Sequence, residues 1–153
     1  MTGTVEAKLA ALGITLPAAS APAANYVPFV ISGNLLWISG QISMANGSLM
    51  TGKLAGEADI EAGRAAARQC AINLIAQIKA ALGDLDRVKR VVKLVGFVNS
   101  APDFTDQPKV VNGCSDLFVE AFGDAGRHAR SAVGVAQLPF NVSVEVEAVI
   151  EIA

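Results

Sequence analysis

The chain has 153 residues, a formal net charge of −2 and a sequence pI near 5.3, with 52% apolar and 17% charged residues. This excludes a disordered chain and gives one domain enough apolar surface to bury a core without staples. It offers no global field for nucleic acid or anionic lipid, and no run approaches the roughly 20 apolar residues of a membrane span.

In chain order, residues 4–13 suit a short helix, with Val5, Leu9 and Leu12 at helical spacing, Thr4 as cap and Gly13 as stop. Residues 17–24 read as an irregular Ala/Pro-rich connector. The A-x-A spacings before position 24 resemble a cleavage site, but no cationic cluster follows Met1, Glu6 intrudes and Pro17 interrupts, so a signal peptide is not expected and a cytoplasmic location is. Residues 1–24 are thus read as an N-terminal helix with its lead-in, and 25–153 as the domain proper.

Strands are expected at 26–32, 35–43 and 48–54 as a meander, punctuated by Gly33-Asn34 and Asn46-Gly47, with Pro28 marking an edge. A long helix over 57–82 carries Ile60, Ala67, Ala71, Leu74, Ile75, Ile78 and Leu82 in one stripe and ends at Gly83. A strand at 88–99 follows, then a helix at 107–122 burying Val110, Val111, Cys114, Leu117, Phe118 and Phe122, then strands at 131–138 and 142–152. The order β-β-β-α-β-α-β-β gives an α+β fold, a mixed sheet with two helices on one face plus the short N-terminal helix.

In the last strand, Val142, Val144, Val146, Ala148, Ile150 and Ile152 share the parity that must face the helices. The other parity holds Ser143, Glu145, Glu147 and Glu151, which a wet face would explain. Yet the 88–99 strand is apolar on both parities, with Val91, Val95 and Phe97 opposite Val92, Leu94 and Val98. Two helices cover one face only, so the other predicts a second copy of the chain, with Glu145 and Glu147 near the contact.

No phosphate loop, G-x-S-x-G elbow or histidine paired with a nucleophile is evident. Two separated cysteines and one histidine cannot assemble a Cys/His zinc site, and neither metal nor cofactor is expected. Cys70 and Cys114 fall on core stripes and read as buried hydrophobes. The cluster Arg127-His128-Ala129-Arg130 suits either a small acidic ligand, through bidentate arginine contacts, or a solvated loop paired with nearby acids. His128 alone reads as a surface or capping residue rather than a general base.

The stretch Arg130-Ser131-Ala132-Val133-Gly134-Val135-Ala136-Gln137-Leu138-Pro139, followed by Val144-Glu145-Val146-Glu147-Ala148, resembles the C-terminal signature of the RidA (YjgF-type) family of reactive enamine/imine deaminases. Gly33-Asn34, Ser39-Gly40-Gln41 and Asn112 match in order and spacing, and the resemblance covers residues 25–152. It implies a chorismate mutase-like fold assembled as a homotrimer with clefts between neighbouring subunits. Within such a cleft Arg130 would clamp a substrate carboxylate and Glu145 would position or deprotonate the attacking water. Tyr26, Ser39, Gly40 and Asn112 would line it, Gly40 through its backbone. Where archetypal members carry a cysteine, this chain has Ala132, which enlarges the pocket or marks a binding-only member. Glu145 is expected to be ionised beside Arg130.

The resemblance therefore implies hydrolytic deamination of 2-enamino and 2-imino acids to 2-keto acids and ammonia. The alternative is a small-carboxylate binding or sensing protein, or a pathway-specific hydrolase, on the same trimer. The endoribonuclease or translation-inhibitor activity given to some relatives is disfavoured, because an acidic chain with one Trp and one Tyr offers neither a cationic groove nor stacking platforms.

Overall fold

In a computed structural model the protein is described over residues 3–22 and 24–153; Met1, Thr2 and Ala23 of the N-terminal segment and lead-in lie outside the described residues. Helix α1 spans Thr4–Ala11, and strands β1 (Phe29–Ser32) and β2 (Leu35–Ile42) follow the lead-in. A small hairpin, β3 (Met44–Ala45) and β4 (Ser48–Leu49), precedes helix α2 (Ile60–Leu82). Strand β5 (Val88–Asn99), helix α3 (Gln107–Phe122) and strands β6 (Ala129–Val135) and β7 (Val144–Ile152) complete the chain.

Five strands form one sheet in the order β1-β2-β7-β5-β6, antiparallel throughout except for the parallel β5–β6 pair. This is the α+β mixed sheet expected. The third strand of the expected meander is not in it. Residues 48–49 fold back on 44–45 through Asn46 and Gly47, both at positive φ (52° and 78°), and the rest of 48–54 joins the body by single backbone hydrogen bonds and the isolated bridges Thr51–Val142 and Leu54–Ser100 rather than as a sheet strand. At the β1–β2 turn only Gly33 takes positive φ (62°), as a turn with glycine in its first central position requires.

All seven stripe residues of α2 and all six of α3 are buried, together with Val144, Val146, Ala148, Ile150 and Ile152 of β7. Both helices therefore cover one face of the sheet. The register of β5 slips between Val91 and Lys93, and that bulge moves Val91 to the helix side with Leu94 and Val98, leaving Val95 and Phe97 opposite. The strict alternation read from the sequence placed Val91 with Val95 and Phe97; the extra residue breaks it. The face away from the helices carries Val30, Trp37 and Val133 exposed, with Val95, Phe97 and Val149 half-buried among Lys93, Glu145 and Glu147.

Helix α1 adds Val5 and Leu9 to the same core, while Leu12 is exposed. Its N-cap is Gly3 rather than Thr4, and the orphan amides of Thr4 and Val5 donate to the Asp86 carboxylate at 2.8 and 2.9 Å. These two bonds hold the Asp86 carboxyl below its usual range. The Cys70 and Cys114 thiols lie in the core, and burial pushes both up.

Helices α2 and α3 meet where Gly113 lies against the Arg64 main chain, and a Cβ there would overlap the Arg64 carbonyl oxygen. Gly113→Ala gains about 1 kcal/mol of helix propensity, but the atom in the way is backbone, which yields only by shifting a helix. Overpacking of this kind costs about 1–3 kcal/mol or more, so we expect a net loss of about 1–2 kcal/mol as a lowered urea midpoint. An unchanged or raised midpoint would show that the two helices can move apart freely.

Candidate functional site

The signature residues fall into two groups on opposite faces of the sheet. Arg130 lies on the edge strand β6 in register with Leu94, and so on the helix side. Its Nη1 donates to Asn112 Oδ1 (2.8 Å) and Ser115 Oγ (3.2 Å), and Nη2 donates to the Pro108 carbonyl (3.4 Å). Asn112 and Ser115 are three residues apart on α3, hence on one side of that helix. The guanidinium is thus fixed in place with Nε–H and one Nη2–H free of partners among the described residues, enough for one bidentate carboxylate. Ala132 lies two residues further along the same edge and side, opposite Gly96, and packs against the core. Arg127, by contrast, sits in solvent with Asp124 (3.4 Å), as the solvated-loop reading has it.

The histidine does have a partner, contrary to the sequence reading. His128 Nε2 lies 2.9 Å from Ser115 Oγ and Nδ1 lies 2.6 Å from the Gly126 carbonyl. A carbonyl cannot donate, so Nδ1 carries the proton and Nε2 accepts from the Ser115 hydroxyl, whose oxygen in turn accepts from Arg130. Burial, with a smaller contribution from the Arg130 charge, lowers the His128 pKa against the opposing pull of the Gly126 carbonyl. Ser115 had a usable signal, its i+3 spacing from Asn112; the return of His128 onto α3 had none.

Glu145 lies on β7 in register with Phe97 and Ile42, on the face away from the helices. A bulge in β2 between Ile38 and Gln41 brings Ser39 and Gly40 beside it. A Cβ at Gly40 would overlap the Glu145 carboxylate, so the glycine is needed for what it lacks as well as for its backbone. Burial first, and the neighbouring Glu147 second, raise the Glu145 pKa. The expectation that an adjacent Arg130 keeps it ionised therefore fails within one chain, because the two residues sit on opposite faces and two strands apart.

Tyr26, Ser39, Gly40 and Glu145 share a cavity of about 570 Å³ that Arg130, Asn112 and Ala132 do not line. One wall is the lead-in from Pro17 to Pro22, held where Gln77 Nε2 donates to the Ser20 carbonyl (2.9 Å). Phe140 also lines the cavity. Neither the lead-in nor Phe140 was singled out from the sequence. A shallower hollow of about 360 Å³ opens on the uncovered sheet face between Trp37, Lys93, Val95 and Glu147.

Residues 6–152 match the family described as "YjgF/chorismate mutase-like, putative endoribonuclease". The chain is 57% identical over 153 residues to Protein TCP17 of Trypanosoma cruzi, covering 99% of this chain and 96% of that one. It is 31% identical over 141 residues to the 2-iminobutanoate/2-iminopropanoate deaminase of Dermatophagoides farinae, covering 91% and 94%. A crystal structure of an Agrobacterium tumefaciens protein of unknown function superposes with a TM-score of 0.91 at 51% identity, covering 98% of this chain and 93% of that one. Sheet, helices and signature agree with these matches: the chain belongs to the YjgF/chorismate mutase-like family.

Proposed function

We propose that this protein hydrolyses 2-imino and 2-enamino acids to 2-keto acids and ammonia at a site completed between neighbouring subunits of a homotrimer. The observation that carries this reading is the division of the signature. One chain holds a fixed guanidinium with two N–H groups free of partners among the described residues on its β6 edge, and a half-buried carboxylate in a separate cavity that Arg130 does not line. Neither half suffices for the chemistry. A second copy seated on the apolar face that carries Trp37, Val95 and Val133 would bring an Arg130 edge to a Glu145 cavity while covering that surface.

The reaction asks little beyond placement. An enamine tautomerises to the imine, and Arg130 holds its carboxylate so that C2 faces the cavity. Glu145 accepts a proton from water as the oxygen adds to C2 of the protonated imine. The same proton is returned to nitrogen, the C–N bond breaks as Glu145 takes the hydroxyl proton, and ammonia leaves behind a C2 carbonyl, carrying that proton away as ammonium. No thiol enters these steps, so Ala132 does not prevent them. A second reading, a carboxylate-binding or sensing protein that does not turn over, draws on that same Ala132. The endoribonuclease in the family description draws no support from this acidic, tyrosine-poor surface.

The test generates an imino acid with an amino-acid oxidase, follows ammonia release, and mixes two inactive chains. Arg130→Ala and Glu145→Gln chains, unfolded together and refolded, should regain up to about a quarter of wild-type activity, since random assortment around a ring pairs one intact half with the other at that frequency. Light scattering should give the mass of three chains. A wild type no faster than the uncatalysed reaction, with tight binding of 2-ketobutyrate, would leave the sensor reading. Activity without complementation would place the whole site within one chain.

A further inference from the structure

The Glu145 cavity has an unusual wall. Phe140 is 70% exposed and sits at φ 58°, ψ 18°, in the left-handed region that a bulky side chain rarely adopts. Such a conformation is strained and persists only where the surroundings over-determine it. They do here. Asn141 is also at positive φ (59°), its amide donates to the Leu138 carbonyl (3.1 Å) and its carbonyl accepts from the Gly52 amide (2.9 Å). Buried Asn99 clamps the turn through Nδ2 to Asn141 Oδ1 (3.0 Å) and the Val142 carbonyl (3.1 Å), while its own oxygen accepts from Lys53 Nζ (2.7 Å). The result of all this bracing is an aromatic ring with no core contact, held at a cavity.

The rest of the cavity is apolar in the same sense. Glu145 is its one charged side chain among the described residues. Two of its polar side chains are committed to its own walls: the Ser39 hydroxyl donates to the Val27 carbonyl (2.8 Å), and Asn73 Nδ2 donates to the Ile42 and Met44 carbonyls (3.1 and 3.0 Å). With Phe140, the Pro17–Pro22 lead-in and exposed Tyr26 also line the cavity. An imino acid of three or four carbons would leave most of about 570 Å³ unfilled.

We propose that Phe140 is a specificity-determining residue and that the site takes 2-imino acids with a large apolar, preferentially aromatic, side chain, which lies against Phe140 in the cavity that the Pro17–Pro22 lead-in also lines. This rests on the reading of the cavity as half of an imino-acid site. The experiment compares 2-imino-3-phenylpropanoate with 2-iminopropanoate, each formed in situ, for wild type and Phe140→Gly. Glycine is the one substitution that relieves the φ 58° backbone while removing the ring, so the fold is spared. Wild type should favour the aromatic substrate in kcat/KM, and Phe140→Gly should lower the aromatic-to-small ratio by about fivefold or more, the worth of an aromatic contact. A ratio that stays within about twofold, or a Phe140→Gly variant whose only change is the mass of the assembly, overturns the proposal. If neither substrate is turned over, calorimetry with phenylpyruvate and pyruvate separates the two claims. Preferential phenylpyruvate binding, lost in Phe140→Gly, sustains the pocket while the deaminase reading fails; equal binding of both acids overturns the pocket.

Discussion

Arg130→Ala should remove imino-acid hydrolysis almost completely, lowering kcat/KM by about 10²–10⁴-fold, because two hydrogen bonds from a charged group contribute about 1.5–3 kcal/mol each. The loss should appear with every carboxylate-bearing substrate, since the contact is to the group they share. Arg130→Lys should recover little of it, as a point charge cannot make the paired contacts of the fork. The residue lies on an edge strand and is only half-buried, and Asn112 and Ser115 can turn to water when it is removed. The thermal midpoint should therefore move by no more than a few degrees, about what 1 kcal/mol gives in a chain of this size. Unaltered kcat/KM in a folded Arg130→Ala protein would end the anchor role.

Glu145→Gln keeps the shape and removes the base, so turnover should fall by about 10²-fold or more while the affinity for a 2-keto acid product changes little. Glu145 is held above the ordinary carboxylate range by burial and then by Glu147, and it can take a proton from water only when ionised. Activity should accordingly fail on the acid side as Glu145 takes up its proton, at a pH set by burial and Glu147 against the pull of the neighbouring subunit's Arg130. Glu147→Gln removes the like charge, lowers the Glu145 pKa, and should move that acid limb to lower pH. A limb that stays in place in Glu147→Gln, or turnover that survives in Glu145→Gln, would assign the base elsewhere.

The helix stripes and the inward parity of β7 were legible because helical and strand periodicities act through many residues at once. The register slips in β2 and β5 were not. A bulge adds one residue without changing local composition, so Val91 changed sides and Ser39-Gly40 came to lie against Glu145 with no mark in the sequence. The β3–β4 hairpin was announced by Asn46-Gly47, but its shortness reflects bridges from Thr51 and Leu54 to distant segments. At the site, the signature residues could be named individually, whereas their separation onto two faces depends on which strand lies beside which. Ser115 and His128 are joined only once β6 returns along β5, and Phe140 carries a backbone conformation that no residue preference foretells.

The carboxylate that closes the start of α1 belongs to Asp86, more than eighty residues downstream. The first helix is thereby moored to the body of the fold by its leading end, and the Ala/Pro segment that walls the cavity hangs from its trailing end. Because the Asp86 pKa is depressed by these bonds, they are at full strength above the ordinary aspartate range and weaken as acid carries the pH down through the lowered value, leaving Val5 and Leu9 to hold the helix. Acid thus reaches this end of the molecule twice, once by neutralising Glu145 and once by loosening the cap of the helix from which the lead-in hangs.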